Sequence, residues 1–124
     1  MILIADDNSG VRRMIRSLIE EPDADVVECS DGGAAIRAFD ELLPDWLLMD
    51  INMQPVDGLT AMRTILDKHP EARIIIISQY QDARTRDTAL AMGAYAFVGK
   101  DDLTSLRELI EMKLYDLKEV AIDP

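Results

Sequence analysis

The sequence has few of the features that mark secreted, membrane-spanning and nucleic-acid-binding proteins. Its single cysteine, Cys29, has no partner for an internal disulfide, which favours a reducing, cytoplasmic environment. No apolar run approaches the roughly 20 residues that cross a bilayer, and no basic region with a following apolar stretch marks a signal peptide. Lysine and arginine number 13 against 24 acidic residues, giving a net charge of −11. We therefore expect a domain that binds neither membrane nor nucleic acid itself.

What the sequence does contain is a regular alternation of short apolar runs and helical patterns within 124 residues, of which 48% are hydrophobic. The runs do not alternate in polarity, so each strand should be covered on both faces. Between the runs, apolar residues recur at helical spacing, as Val11, Ile15 and Leu18 do. We expect one α/β domain, a three-layer sandwich of a five-stranded parallel sheet and five helices. The predicted strands are residues 2–5, 26–27, 46–49, 74–77 and 95–98.

Residues that begin and end helices agree with these boundaries. Asn8 or Ser9 can cap the first helix, Asp31 the second and Asp57 the third. The fourth helix is expected from about residue 82 to 92, with Gly93 directly after it. Pro22, Pro44 and Pro70 each separate a helical pattern from the next strand. The domain is expected to span 1–120, with 121–124 as a C-terminal tail or the start of a linker.

Polar residues follow four of the predicted strands. In an open parallel sheet, ligands bind beyond the carboxyl ends of the strands, so these residues should converge. Each residue alone has an ordinary explanation as a helix cap, a turn residue or a solvated lysine, but their joint occurrence indicates a site. The residues are Asp6 and Asp7 after the first strand, Asp50 after the third, Ser78 after the fourth and Lys100 after the fifth.

The chemistry of this group points to a metal ion and to phosphoryl transfer. Three neighbouring carboxylates repel one another unless a cation lies among them. Oxygen ligands without a nearby histidine or cysteine select Mg²⁺ or Mn²⁺. A carboxylate can accept a phosphoryl group, while Lys100 and the Ser78 hydroxyl can neutralise or hydrogen-bond its oxygens.

The sequence resembles the receiver domain of a two-component response regulator over about residues 1–120. The matching segments are ILIADDN at 2–8, MDINM at 49–53, DGL at 57–59, IS at 77–78, and GA at 93–94 leading to Lys100. The resemblance implies a flavodoxin-like sheet of strand order 2-1-3-4-5. It also implies a signalling switch with self-catalysed phosphotransfer and autodephosphorylation, rather than a metabolic enzyme.

The resemblance assigns roles to individual residues. It implies that Asp50 is the phosphoacceptor, that Asp7 is a direct metal ligand, and that Asp6 acts mainly through coordinated water. The backbone carbonyl of Asn52 would complete the metal shell.

Three further residues would bind the phosphoryl group or respond to it. Ser78 would be the switch hydroxyl, Lys100 the phosphate's ion-pair partner, and Phe97 the rotating aromatic residue.

The output surface is expected on the fourth helix, the fifth strand and the fifth helix, where Met112 and Tyr115 lie off the apolar stripe.

Several positions depart from the pattern of the family. A proline common four residues after the acceptor is displaced to Pro55, behind Gln54. Asp101 replaces a proline that often follows the lysine through a cis bond, so the geometry of that bond is left open. Gln79 could crowd or hydrogen-bond across the phosphate site, and Tyr80 lies where side chains tune access of the hydrolytic water.

The expected partners are a sensor histidine kinase or phosphotransfer protein, an output domain or partner protein, and a second copy of the chain in a phosphorylation-dependent homodimer. A small donor such as acetyl phosphate could replace the kinase. Arg12, Arg13 and Arg16 form either a solvated face or a docking surface for the kinase, and the sequence leaves both open.

Three other functions are compatible with an α/β domain of this size. An aspartyl-phosphate hydrolase needs a second aspartate at the position of Asn52. A flavodoxin-like electron carrier needs a phosphate-cradling loop where Asp6 and Asp7 would repel the phosphate. A degenerate receiver that is never phosphorylated remains an alternative because of Gln54 and Gln79.

Overall fold

The computed structural model describes residues 1–19, 25–79 and 82–110, in which five parallel strands form one sheet. The strands are β1 Ile2–Ala5, β2 Val26–Cys29, β3 Trp46–Asp50, β4 Ile74–Ser78 and β5 Ala96–Gly99. Their order in the sheet is β2-β1-β3-β4-β5, as the resemblance implied. The apolar runs predicted every strand to within two residues: β2 extends two residues beyond its run, β3 and β4 extend one, and β5 begins and ends one residue later.

Four helices have both ends within the described residues, and residues 105–110 are helical as well. Side-chain caps begin the helices because the first backbone N–H groups of a helix lack partners within it. The Asn8 side chain accepts hydrogen bonds from the N–H groups of Gly10 and Val11, so Asn8 caps the first helix. Asp31, Asp57 and Asp82 cap the next three. The helices are α1 Ser9–Ile19, α2 Gly32–Leu42, α3 Gly58–Lys68 and α4 Ala83–Ala91.

The sheet has a buried core on each face. Leu3, Met49 and Ile76 point to the face covered by α2, α3 and the buried Ala89 of α4. Ile4, Leu48 and Ile77 point to the opposite face, covered by α1 and the helical residues 105–110. Because neighbouring residues of β3 and β4 enter different cores, both strands are apolar up to their last residues, Asp50 and Ser78. This is the three-layer architecture expected from the unbroken apolar runs.

Gly93 follows α4 with a φ of 114°, a left-handed conformation that favours glycine, as its predicted position required. Pro44 and Pro70 lie between a helix and the next strand, as expected. Pro22, Tyr80, Met112, Tyr115 and the expected boundary at residue 120 lie outside the described residues. In the part of the chain that is described, no helix is long and apolar enough to cross a membrane.

Candidate metal and phosphoryl site

Three aspartates meet at the carboxyl edge of the sheet. Asp6 and Asp7 follow β1, and Asp50 is the last residue of the neighbouring strand β3. One carboxylate oxygen from each lies within 4.8 Å of the other two. The parallel pairing of β1 with β3 produces this cluster, because it places Ala5 beside Met49 and so aligns the two strand ends.

The cluster is buried except at Asp7. The side chains of Asp6 and Asp50 are 1% and 2% exposed, whereas Asp7 is exposed. Oδ2 of Asp6 and Oδ1 of Asp50 receive no hydrogen bond of good geometry among the described residues. Both oxygens instead face the ammonium of Lys100, whose Nζ lies 3.2 Å from the first and 3.4 Å from the second. One cation therefore opposes at least two buried carboxylates.

This environment changes the acidity of the groups involved. Burial, and then the charge of Asp6, raise the pKa of Asp50 to about 6, although Lys100 and a backbone hydrogen bond at Asn52 act in the opposite direction. Burial alone would lower the pKa of Lys100, but the charges of Asp50 and Asp6 outweigh it, so that pKa is raised. Lys100 therefore remains protonated, while a proton or a metal ion would relieve the repulsion at Asp50.

On the side of β3 opposite to β1, β4 ends at Ser78 and β5 is followed directly by Lys100. Ser78 ends β4, is fully buried, and pairs in register with Gly99 of β5. Its backbone carbonyl accepts a hydrogen bond of 2.9 Å from the backbone N–H of Lys100, which fixes the exit of β5 beside β4. The residues predicted to converge at this edge do so.

Phe97 lies in β5, partly buried, and packs against the core beneath α2, α3 and α4. Gln79 is exposed directly after Ser78. The predicted neighbour Tyr80 falls outside the residues that the structure describes.

The loop after β3 forms one wall of a cavity of about 840 Å³ beside the carboxylates. Asn52 is exposed in this loop, and the buried side chain of Met53 anchors the loop to the core. Within the described residues the one cis peptide bond is Gln54–Pro55, so the Lys100–Asp101 bond is trans. The cavity is lined by Asp7, Asn52, Met53, Gln54, Pro55 and Asp57.

Two glycines hold this loop, a role that was not predicted from the sequence. The N–H of Gly58 donates to the carbonyl of Ile51 at 2.8 Å, and a Cβ on Gly58 would overlap the carbonyl oxygen of Asp50. The N–H of Gly32 donates to the carbonyl of Val56 at 3.1 Å, where a Cβ would also collide. The Asp-Gly pair at 57–58 was the available sequence signal, because glycine permits such close backbone approach.

A model of the response regulator receiver domain matches residues 2–111. This chain belongs to the response regulator receiver domain family. Receiver domains are regulatory domains that serve as phosphorylation-dependent switches in two-component signalling. The fold and the family expected from the sequence are therefore confirmed.

Individual relatives support the same assignment. Over an alignment 126 positions long, the chain is 37% identical to protein-glutamate methylesterase/protein-glutamine glutaminase 2 of Carboxydothermus hydrogenoformans. This alignment covers 97% of the chain but only 36% of that protein. It is 35% identical over 100 residues to the chemotaxis protein CheY of Listeria monocytogenes, covering 80% of this chain and 84% of CheY. A crystal structure of a LuxR-family two-component response regulator from Aurantimonas sp. is 32% identical, with a TM-score of 0.82, covering 93% of this chain and 84% of that one.

Proposed function

We propose that this receiver domain is switched by phosphorylation of Asp50. The observation that carries this assignment is the pairing of the buried Asp50 with Lys100, whose Nζ lies 3.4 Å from Oδ1 of Asp50. A buried carboxylate beside one fixed cation can attack phosphorus, and the cation remains to neutralise the product. The complete set of acidic groups gives no support to a receiver that is never phosphorylated.

The carboxylates fit a divalent cation. The buried oxygens of Asp6 and Asp50 that receive no hydrogen bond of good geometry from the described residues are strong acceptors, and Lys100 only partly offsets their desolvation. We assign Asp7, Asp50 and the backbone carbonyl of Asn52 as direct ligands of Mg²⁺ or Mn²⁺, with Asp6 acting mainly through coordinated water. When bound, the ion neutralises phosphoryl oxygens and reduces the repulsion between the carboxylates.

In the transfer step, a carboxylate oxygen of Asp50 forms a bond to phosphorus. The bond from phosphorus to the donor breaks, and its electron pair leaves with the donor, an imidazole nitrogen of a kinase histidine or the oxygen of acetate. Lys100 ion-pairs with the transferred group, and the Ser78 hydroxyl hydrogen-bonds to it. Hydrolysis reverses the state when water attacks the same phosphorus. The bond from phosphorus to the Asp50 oxygen breaks, its electron pair returns to the carboxylate, and inorganic phosphate is released.

The cavity of about 840 Å³ beside Asp7 and Asn52 is the proposed entrance for the donor. A sensor histidine kinase, a phosphotransfer protein or acetyl phosphate would present its phosphoryl group there. Gln54 lines this entrance, and we propose that Gln79 and Tyr80, after Ser78, tune access of the hydrolytic water. These partners, together with Cys29 as the single cysteine, favour action in the cytoplasm.

The proposed output surface comprises α4, β5 and the helical residues 105–110. Leu90 and Tyr95 expose 39% and 44% of their surface there, beside a groove of about 390 Å³ that Phe97 also lines. A movement of Ser78 towards a phosphoryl group would leave space for Phe97 to change rotamer and so alter this surface. An output domain, a partner protein or a second copy of the chain would read the change.

Phosphorylation by acetyl phosphate tests this function. With Mg²⁺ present, the protein should gain about 80 Da, the mass of one phosphoryl group as an aspartyl phosphate. Asp50→Asn or excess EDTA should abolish the gain. Asp57→Asn is the matched control, because Asp57 lines the same cavity and asparagine can still cap α3. An undiminished gain in Asp50→Asn would show that another residue is the acceptor.

A further inference from the structure

We infer that Arg12 is a positioning residue that orients Asp6 and Asp7 for metal binding. This inference rests on the proposed function, because it concerns the same carboxylates. Arg12 lies in α1, outside the cluster, yet its Nη1 donates a hydrogen bond of 2.6 Å to the backbone carbonyl of Asp6. Its side chain is 18% exposed, so Arg12 is not part of a freely solvated face.

The bonded carbonyl belongs to the peptide group that joins Asp6 to Asp7. A peptide group is planar, so holding its oxygen also fixes the direction in which the Cα of Asp7 leaves it. The rest of Asp6 is held too. Its N–H donates to the carbonyl of Cys29 at 3.1 Å, and its Oδ1 accepts a hydrogen bond of 2.9 Å from the N–H of Asn8. Arg12 thus fixes the peptide group that joins the two acidic residues.

The guanidinium of Arg12 is itself held in place. Its Nε donates to Oε1 of Glu28 at 3.1 Å, while Oε2 of Glu28 lies 3.4 Å from Nε of Arg16, one helical turn further along α1. Arg16 also donates from Nη2 to the carbonyl of Val26 at 2.7 Å. Glu28 and Val26 belong to β2, so these contacts join α1 to the edge strand. An arginine can bind two acceptors at once because its donors form a rigid planar fork.

These contacts show that the three arginines do not form one freely solvated face, whereas docking of a kinase on α1 stays a prediction. Arg12 and Arg16 are engaged with β2 and with the end of β1, whereas Arg13 is exposed. Arg13 therefore provides a matched control with the same charge on the same helix.

Charge and position predict opposite effects on metal affinity. Arg12 is a cation near an Mg²⁺ site, so if its charge alone mattered, Arg12→Ala would bind Mg²⁺ more tightly. If Arg12 positions Asp6 and Asp7, its removal weakens binding, because residues that orient metal ligands typically contribute tenfold or more to affinity. The direction of the change therefore separates the two explanations.

The test is titration calorimetry with Mg²⁺ alone, on the wild type, Arg12→Ala, Arg13→Ala and Glu28→Gln. We expect about tenfold weaker binding in Arg12→Ala, a smaller weakening in Glu28→Gln, and no weakening in Arg13→Ala. The rate of phosphorylation by acetyl phosphate provides a second measurement. The Mg²⁺ concentration for half-maximal rate should rise in Arg12→Ala, while the rate at saturating Mg²⁺ should remain close to wild type.

Unchanged or tighter Mg²⁺ binding in folded Arg12→Ala would overturn the inference. If that variant does not fold, Arg12→Lys decides the question. It retains the charge and the alkyl stem but lacks the fork, so weakened binding supports the inference and wild-type binding refutes it. Failure of the wild type itself to bind Mg²⁺ would instead refute the proposed metal site.

Discussion

Gly58 lies directly against the backbone carbonyl of Asp50, so close that no side-chain carbon fits between them. The first residue of α3 thereby sets the position of the last residue of β3. The same glycine donates its N–H to the carbonyl of Ile51 at 2.8 Å, which closes the loop that carries Asn52. The proposed acceptor is therefore held through its own main chain as well as through Lys100.

Gly58→Ala should damage both stability and phosphorylation. The new methyl group must displace the Asp50 backbone or α3, and such overpacking costs about 1–3 kcal/mol in the free energy of unfolding. Urea denaturation measures this loss, and mass spectrometry after treatment with acetyl phosphate measures the loss of phosphorylation.

Gly33→Ala is the control for Gly58→Ala. A Cβ on Gly33 would lie 3.4 Å from Nη1 of Arg37, whose long side chain can move, and 3.2 Å from Oδ1 of Asp31, which must shift by a few tenths of an ångström while it still caps α2. Its stability should stay within about 1 kcal/mol of wild type. If Gly58→Ala matches this control in stability and in phosphorylation, the close packing against Asp50 has no functional role.

Asp50→Asn should stabilise the metal-free protein at neutral pH. Because the pKa of Asp50 is about 6 in the folded state, above the ordinary 3.8, the folded protein retains a proton that the unfolded chain has lost between these values. The free energy of unfolding of the wild type should therefore fall as pH rises from about 4 to about 6. Above that range, the gain from Asp50→Asn should be on the order of 1–3 kcal/mol.

Urea denaturation in EDTA, repeated from pH 4 to 8, measures this pH dependence. Asp67→Asn, at an exposed position of α3, serves as the control for loss of one acidic charge. An equal gain in Asp67→Asn would attribute the stabilisation to net charge rather than to the burial of Asp50.

Mg²⁺ should raise the melting temperature of the wild type more than that of Asp50→Asn. A ligand that binds only the folded state at ten times its dissociation constant stabilises that state by about 1.4 kcal/mol. Thermal unfolding with increasing MgCl₂, with NaCl matched for ionic strength, measures the difference. A wild-type curve that several millimolar Mg²⁺ leaves unchanged would contradict the assignment of Asp6, Asp7 and Asp50 to a metal site.

Beryllofluoride, a mimic of the phosphoryl group, should change hydrogen exchange mainly between residues 82 and 115. This segment contains α4 and β5, whose ends border Ser78 and Lys100. Changes confined to α1 and α2 would instead indicate that the signal leaves on the other side of the sheet.

Phe97→Ala should separate phosphorylation from output. Phe97 packs against the core and is not part of the carboxylate cluster of Asp6, Asp7 and Asp50, so phosphorylation of Asp50 should remain close to wild type. Phosphorylation-dependent association should weaken by about tenfold or more, since such coupling typically amounts to 1–3 kcal/mol. Analytical ultracentrifugation with beryllofluoride measures association. Unaltered association in Phe97→Ala would remove this residue from the output route.

Local rules of sequence predicted most of the secondary structure. Asp31 and Asp57 cap helices because a carboxylate three residues before a free N–H can reach it without help from the rest of the fold. The prediction was less accurate at the edge of the sheet, where β2 continues through Glu28 and Cys29. Pairing of these residues with Ile4 and Ala5 depends on the backbone, so the polarity of the side chain does not reveal it.

The sequence by itself determined the order of strands and helices along the chain, because periodicity and capping act over a few residues. It also determined which polar groups follow the strands. Only the tertiary structure decided how Arg12 meets the carbonyl of Asp6 and how Gly58 meets that of Asp50. Main-chain carbonyls are present at every residue, so no side-chain pattern marks the ones that will be approached. Such contacts exist only after packing of α1 and α3 onto the sheet has set which backbone atoms lie within reach.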